Sequence, residues 1–330
     1  MSSIRLLQAS DLHIAKYPSL PQLQRRSPGN YLNTILKGIY TILKGTYAAS
    51  HSPGMLRALV TLADSQKGSL DAIVLTGDIA TTGLDHDLLE ALHFVDGPPD
   101  ARDFLSSGGG PTISGLGLNV FLLPGNHDRY KQLLKRAGYL PGGRNFHKVF
   151  AKYWGSDVAR YAVVKGNLAV GVLAADFSLR RWSDSTFFQP INWYAQGKTY
   201  RDILSTLESE TALFQQEYSD KDVCVIWAVH FPPVFKHTES HMRLIDDHLL
   251  IDSANKSGVH LIISGHTHNP FEFSSPRTEF RVLGAGTATQ DHSPEGNYCQ
   301  VISIENDETG LIFDIDHYKF DPNTCTFVRV

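Results

Sequence analysis

Five short stretches place groups that bind metal or move protons directly after apolar runs. They are Asp11-Leu12-His13, Gly77-Asp78, Gly125-Asn126-His127-Asp128, His230, and Gly265-His266-Thr267-His268. Carboxylate, carboxamide and imidazole groups are donors for divalent ions, and imidazole also carries protons near neutral pH. Asp11 and His13 stand two apart, so an extended chain puts their side chains on one side. His266 and His268 repeat that spacing, a common metal-binding arrangement. Each pair alone is a weak signal. Together the stretches supply Asp11, His13, Asp78, Asn126, His230, His266 and His268, a donor set that suits two divalent ions sharing one carboxylate. Oxygen and imidazole donors with no cysteine nearby favour Mn, Fe, Zn or a similar ion over a soft thiolate site. The alternative, purely structural roles for all of them, has to explain why five sets each follow a strand-like run.

The elements that must gather these groups are legible in the periodicity. Residues 4–9, 72–76, 120–123, 222–229 and 260–264 are short apolar runs with the length and branching of buried strands. Each ends at one of the five stretches. Pro124 and Gly125 stop the third, and Pro232 and Pro233 fix the loop that carries His230. Helices are predicted at 55–63, 85–94, 200–217 and 244–257, with a helix-like aromatic run at 146–154. A hairpin over 161–164 and 168–173 turns at Lys165-Gly166-Asn167. Residues 280–283, 299–305, 311–318 and 326–330 alternate as antiparallel strands do. Strands separated by helices argue an α/β layered fold, in which ligands collect beyond the carboxyl ends of the strands. Asp176 follows a strand end and reads as a packing or loop-capping residue before it reads as a site residue. His86 and His93 read as surface or packing residues of a helix.

Two segments stand apart from this frame. Residues 15–56 contain a seven-residue repeat, Thr34-Ile-Leu-Lys-Gly and Thr41-Ile-Leu-Lys-Gly. The repeat predicts an amphipathic helix whose two glycines each weaken it by roughly 1 kcal/mol. It either closes over the core or forms a subunit interface, or it caps the site and meets an apolar substrate or a membrane surface; residues 30–47 are thus the candidate for a homodimer or peripheral membrane contact. Residues 178–200 interleave Arg180 and Arg181 with Trp182, Phe187, Phe188, Trp193 and Tyr194. Such a segment stacks on a substrate ring, or it seals a lid or dimer contact.

Composition bounds the rest. With 330 residues, 42% of them hydrophobic, the chain can bury a large core. A net charge of −4 does not favour nucleic acid as the partner. Cys224, Cys299 and Cys325 are few and scattered, with neither a disulfide framework nor zinc-finger spacing. No run approaches the ~18 apolar residues of a membrane span, and the first residues are too short in apolar character for a signal peptide. The expectation is a cytoplasmic protein acting on a small molecule.

In order and spacing, the five stretches resemble the calcineurin-like metallophosphoesterase family, whose motifs are D-x-H, G-D, G-N-H-[DE], H and G-H-x-H. The resemblance spans about residues 4–268. It implies a single domain over 1–330 with a four-layer αββα sandwich of two mixed sheets flanked by helices, carrying a helical cap insertion at 15–56 and an Arg/aromatic insertion at 178–200. It implies one metal on Asp11, His13, Asp78 and His268, and a second on Asp78, Asn126, His230 and His266, with Asp78 bridging. It further implies hydrolysis of a phosphoester by a metal-bridging hydroxide. Asn126 and His127 face the substrate, His127 assists the leaving group, and Asp128 orients His127 from behind. Arg180 and Arg181 are candidate substrate contacts.

Within the family, the sequence departs from several groups. No Arg follows Gly77-Asp78 as in the protein Ser/Thr phosphatases. Thr81 stands where purple acid phosphatases carry a tyrosine ligand, and His127 where the lipid A pathway hydrolases carry arginine. Thr76-Gly-Asp-Ile, Gly125-Asn-His-Asp, His230-Phe-Pro-Pro and Gly265-His-Thr-His are similar to the bacterial cyclic-nucleotide and glycerophosphodiester phosphodiesterases. The expected substrate is therefore a phosphodiester. Alternatives are a phosphomonoester on a nucleotide or lipid-linked phosphate, then a nuclease or an inactive scaffold. The 15–56 insertion departs from the short connection common in that group.

Overall fold

The computed structural model describes residues 2–15, 51–97, 112–134, 137–185, 196–233, 242, 244–274, 278–290, 293 and 295–330. The predicted helix at 30–47 and the aromatic stretch at 186–195 lie outside these residues. In chain order the elements are β1 (Ser3–Ala9), α1 (Pro53–Gln66), β2 (Ala72–Thr76), α2 (Asp85–Asp96), β3 (Asn119–Leu123), β4 (Lys131–Leu134), β5 (Ala137–Leu140), α3 (Asn145–Val149), β6 (Val158–Lys165), β7 (Leu168–Ala175) and β8 (Gly197–Lys198). There follow α4 (Arg201–Glu217), β9 (Asp222–Val229), β10 (Leu244–Ile245), α5 (Asp247–Lys256), β11 (Leu261–Ser264), β12 (Phe271–Ser274), β13 (Arg281–Gly284), β14 (Tyr298–Asp307), β15 (Gly310–Asp321) and β16 (Thr326–Arg329).

Two six-stranded mixed sheets dominate, ordered β16-β15-β14-β1-β2-β3 and β12-β13-β11-β9-β7-β6. Strand alternation decides what each face buries. Along β9, Cys224, Ile226 and Ala228 join the core between the sheets, whereas Val225, Trp227 and Val229 join the core beneath the helices. Helical spacing supplies the outer layers: Leu56, Leu59 and Ala63 of α1 and Leu88, Ala91 and Val95 of α2 pack on the first sheet. Ile203, Leu207 and Phe214 of α4 and Leu250 and Ala254 of α5 pack on the second. The result is the expected αββα order of layers.

Parallel pairing matters most for function. β1 runs parallel to β2, and β2 to β3, so the loops after all three open on one edge. β9 and β11 are likewise parallel. Ser10, just past β1, forms a parallel bridge with Thr287, just past β13 of the other sheet, which joins the two edges.

Three local expectations differ. The helix predicted over 244–257 begins only at Asp247: Leu244 and Ile245 pair with Gly197 and Lys198 as a two-residue parallel strand, and Asp246 turns left-handed at φ 60°. The aromatic run at 146–154 is helical only to Val149, and its rings fill the core instead, Phe146 stacking on Phe150. β12 is an addition to the predicted strands; its Phe271-Glu-Phe-Ser alternation is only four residues long, and its pairing with β13 is a tertiary contact.

Candidate metal centre

The loops after the strands hold their polar residues in unusual backbone conformations. Asp11, His13, Asp78, His266 and His268 all have positive φ, between 50° and 70°. Left-handed backbone costs a non-glycine residue of order 1–3 kcal/mol, and Asp and His tolerate it better than most. The strain persists because long-range bonds over-determine it. The Asp11 N–H donates to the Gly77 carbonyl at 3.1 Å and the His13 N–H to the Asp78 carbonyl at 2.9 Å. From the other side, hydroxyls of Thr287 and Thr81 donate to the carbonyls of Asp11 and His13.

All seven predicted donors meet on that edge. The Oδ1 of Asp11 lies 3.2 Å from His268 Nε2 and 3.9 Å from His13 Nε2. Asp78 Oδ2 lies 3.3 Å from His230 Nε2, which lies 3.1 Å from Asn126 Oδ1. Three trios each bring their donor atoms within 4.8 Å of one another: Asp11, His13 and His268; Asp78, His230 and His266; and His13, Asp78 and His127. Asp78 and His13 each belong to two of them. His127 and His268 keep side chains 14% and 32% exposed, while Asp11, His13, Asp78 and His230 are at most 2% exposed. Among these described residues, that pair forms the exposed rim.

Hydrogen bonds select the imidazole nitrogens. His230 Nδ1 donates to the Thr76 carbonyl at 2.8 Å, which leaves Nε2 toward Asp78. His127 Nδ1 donates to the Thr81 carbonyl at 2.9 Å, and its Nε2 lies 4.0 Å from Asp78 Oδ2. Burial alone would raise both central carboxyl groups. Neighbouring imidazoles outweigh it, His268 at Asp11 and His230 with His127 at Asp78, so both stay ionised. Burial pushes His13 and His266 down to about 3, so both are neutral.

The donor chemistry fits divalent ions on an observation of this structure: His266 Nε2 is buried with no hydrogen-bond partner, a state that costs energy unless something else is bound. Asp11 and Asp78 would balance part of the ionic charge. Burial works to lower the His230 pKa, but Asp78 prevails and raises it to about 9. Below that pH an ion must displace the His230 proton. Divalent-ion affinity is therefore expected to climb by up to about tenfold per pH unit toward pH 9 and to level off above it. Calorimetric Mn²⁺ titration from about neutral to about pH 10 checks this; a flat profile would refute it.

Glycine is required where backbone meets a ligand. A Cβ on Gly125 would stand 2.3 Å from Asp78 Oδ1 and 2.5 Å from Asp78 N. Gly125→Ala is expected to lower divalent-ion affinity about 10–100-fold and to destabilise by about 1–3 kcal/mol. Calorimetry and thermal melting measure the two effects separately, and unchanged affinity would contradict the assignment.

Three predicted residues have partners other than those expected. Asp128 does not reach the His127 ring. Its carboxylate accepts the N–H groups of Gly125, Ile79 and Ala80 at 2.9, 3.1 and 2.7 Å, so it splices two site loops together. Burial, aided by Asp78, pushes its pKa up to about 8 against those three donors. Arg180 is not a free cation: it reaches Asp157 at 3.3 Å and Asp202 at 2.8 Å, and lies 4.5 Å over the Tyr200 ring. Arg181 pairs with Asp184 at 3.3 Å. Asp176 is buried in an ion pair with Arg129 and caps the Ser178 N–H at 2.9 Å, in keeping with a packing and capping role.

Sequence reasoning passed over several supporting residues. Tyr130 accepts the Asn126 side-chain N–H at 2.6 Å, which aims Asn126 Oδ1 at His230. Thr76, Thr81 and Thr287 hold the loops through hydroxyls or carbonyls. Their only sequence signal is a threonine at or just beyond a strand end.

Residues 4–270 match the family described as calcineurin-like phosphoesterase, and the chain belongs to that family. The family is one of metal-dependent phosphohydrolases with dinuclear centres. Among solved structures, a dimetal phosphatase from Danio rerio is similar at 13% identity and a TM-score of 0.58, with 94% of this chain and 95% of that one covered. GAP50, the anchor in the inner membrane complex of Plasmodium, is similar at 12% identity and a TM-score of 0.47, covering 96% and 85%. At these identities the first match speaks to the fold alone, and the second carries no argument. No curated protein matches the chain by sequence.

Proposed function

We propose that the protein hydrolyses a phosphodiester at a dinuclear centre held by Asp11, His13, Asp78, Asn126, His230, His266 and His268. The observation that carries this reading is the complete donor set on one edge, with His127 at its exposed rim. Two divalent ions there would supply Lewis acidity toward the phosphoryl oxygens and activate a water for attack on phosphorus. The chain's own residues do the rest. His13, His230 and His266 present buried imidazoles, and the His230 ring is turned by its bond to the Thr76 carbonyl. Asn126, braced by Tyr130, offers its carbonyl oxygen. His127 donates Nδ1–H to Thr81, so Nε2 is the nitrogen that, when the ring is protonated, can pass its proton to a leaving alkoxide or stabilise charge on it. Asp128 keeps the loops of Asp78 and His127 at a constant separation.

The preference for a diester rests on the combination of the four motif segments at Thr76, Gly125, His230 and Gly265. A cyclic nucleotide or glycerophosphodiester is the substrate class those segments suggest. The unbridged cysteines Cys224, Cys299 and Cys325 support a reducing compartment such as the cytoplasm. Among the described residues no helix is long and apolar enough to cross a membrane.

The test is hydrolysis of bis-(p-nitrophenyl) phosphate against p-nitrophenyl phosphate by metal-stripped protein refilled with Mn²⁺. Faster turnover of the diester is expected. Faster turnover of the monoester would replace the reading with a phosphomonoesterase acting on a nucleotide or lipid-linked phosphate.

A further inference from the structure

Two polar side chains, Gln8 and Gln300, lie in the apolar seam between the sheets, beneath the centre. Gln8 of β1 is fully buried. Its carboxamide nitrogen donates to Thr76 Oγ1 at 3.2 Å and to the Ser264 carbonyl at 2.9 Å, and its oxygen accepts Gln300 Nε2 at 2.6 Å. Thr76 ends β2 and Ser264 ends β11, so one amide group ties the last residues of a strand from each sheet. The same Thr76 carries the carbonyl that receives His230 Nδ1 at 2.8 Å and Ser10 Oγ at 3.2 Å. Ser264 is followed at once by Gly265 and His266. Three residues beyond Gln8 stands Asp11.

An amide in this position is costly to bury unless every bond is made. Apolar residues of similar volume would fill the same space. What they would not do is set register across the seam. Apolar packing is non-directional, so by itself it specifies no register across the seam. Ligand constellations work only within about 0.5 Å. The ligands here come from both sheets: Asp11, Asp78 and Asn126 from the first, His230, His266 and His268 from the second.

We propose that Gln8 is a positioning residue of the metal centre: its carboxamide locks the end of β11 to the end of β2 and so keeps His230 and His266 in register with Asp78. The inference rests on the dinuclear reading above.

The test compares the wild-type protein with Gln8→Met, Gln8→Met/Gln300→Met and Thr76→Val, all stripped of metal. Methionine has similar length without polar atoms, and the double variant leaves no orphaned amide. Two quantities are measured: the thermal midpoint of the metal-free protein and the Mn²⁺ affinity by calorimetry. The double variant is expected to melt within about 5 °C of wild type and to bind Mn²⁺ about 10–100-fold more weakly. The imidazole N–H resonance of His230, sheltered in the metal-free wild type, should broaden or shift in parallel. A lowered midpoint with unchanged Mn²⁺ affinity would mean that Gln8 only supports the core, and would overturn the proposal. Should the Gln8 variants not fold, Thr76→Val decides. It removes one acceptor and keeps the carbonyl, so a loss of about 3–10-fold in affinity supports the proposal and wild-type affinity overturns it. Failure of the wild-type protein itself to bind Mn²⁺ would remove the metal reading, an outcome separate from any difference among variants.

Discussion

Asp78→Asn is expected to lower turnover by about 10³-fold or more and to reduce the Mn²⁺ stoichiometry below two. Asp78 is the one carboxylate common to two of the donor trios. Its Oδ2 faces His230 Nε2 at 3.3 Å, and its Oδ1 receives the His127 N–H at 2.8 Å. Asparagine keeps the shape and one acceptor, so the loop can still close. It loses the charge, and its N–H₂ would confront an imidazole nitrogen that ought to face an ion. Losing one partner of a buried pair also costs stability, about 3–5 kcal/mol. Circular dichroism must therefore accompany the kinetics. Full Mn²⁺ stoichiometry with wild-type turnover in a folded variant would show that the site lies elsewhere.

His127→Ala is expected to separate binding from chemistry. The His127 ring is anchored to the Thr81 carbonyl and sits 4.6 Å, edge-on, from the His13 ring. In the proposed reading it stands beside the metal ligands rather than among them. Metal stoichiometry should survive its removal. Turnover should fall by about 10²–10⁴-fold on a diester with an alkyl leaving group, the range of general acid catalysis. On bis-(p-nitrophenyl) phosphate the loss should be smaller, because nitrophenolate departs without a proton. The ratio of the two losses is the measurement. Equal losses on both substrates would assign His127 to charge stabilisation, and unchanged turnover on both would remove it from the reaction.

The strand-and-stop pattern was readable because its causes are local. A buried parallel strand needs a short apolar run, and a proline or glycine ends it. The runs at β2, β3 and β9 stand in the structure where periodicity puts them. Partner choice was harder. The family resemblance puts Asp128 behind His127, yet its oxygens accept amides 48 and 49 residues away as well as that of Gly125. Arg180 reads as available for substrate because the carboxylates that neutralise it, Asp157 and Asp202, stand 23 and 22 residues away along the chain. Nothing in a one-dimensional pattern distinguishes a paired guanidinium from a free one.

By itself the sequence determined the residue types of the centre, their order, and the sheet-forming runs that end at them. These depend on side-chain chemistry and on periods of two and of about 3.6 residues, both carried by short windows. Tertiary packing settled which nitrogens of His230 and His127 face the site, and which partners the buried Gln8 amide finds. Those outcomes depend on groups brought together from opposite ends of the chain, such as the Thr287 hydroxyl on the Asp11 carbonyl, 276 residues apart. A buried polar group has to find a partner wherever the fold provides one, and that requirement is met in space without regard to distance along the sequence.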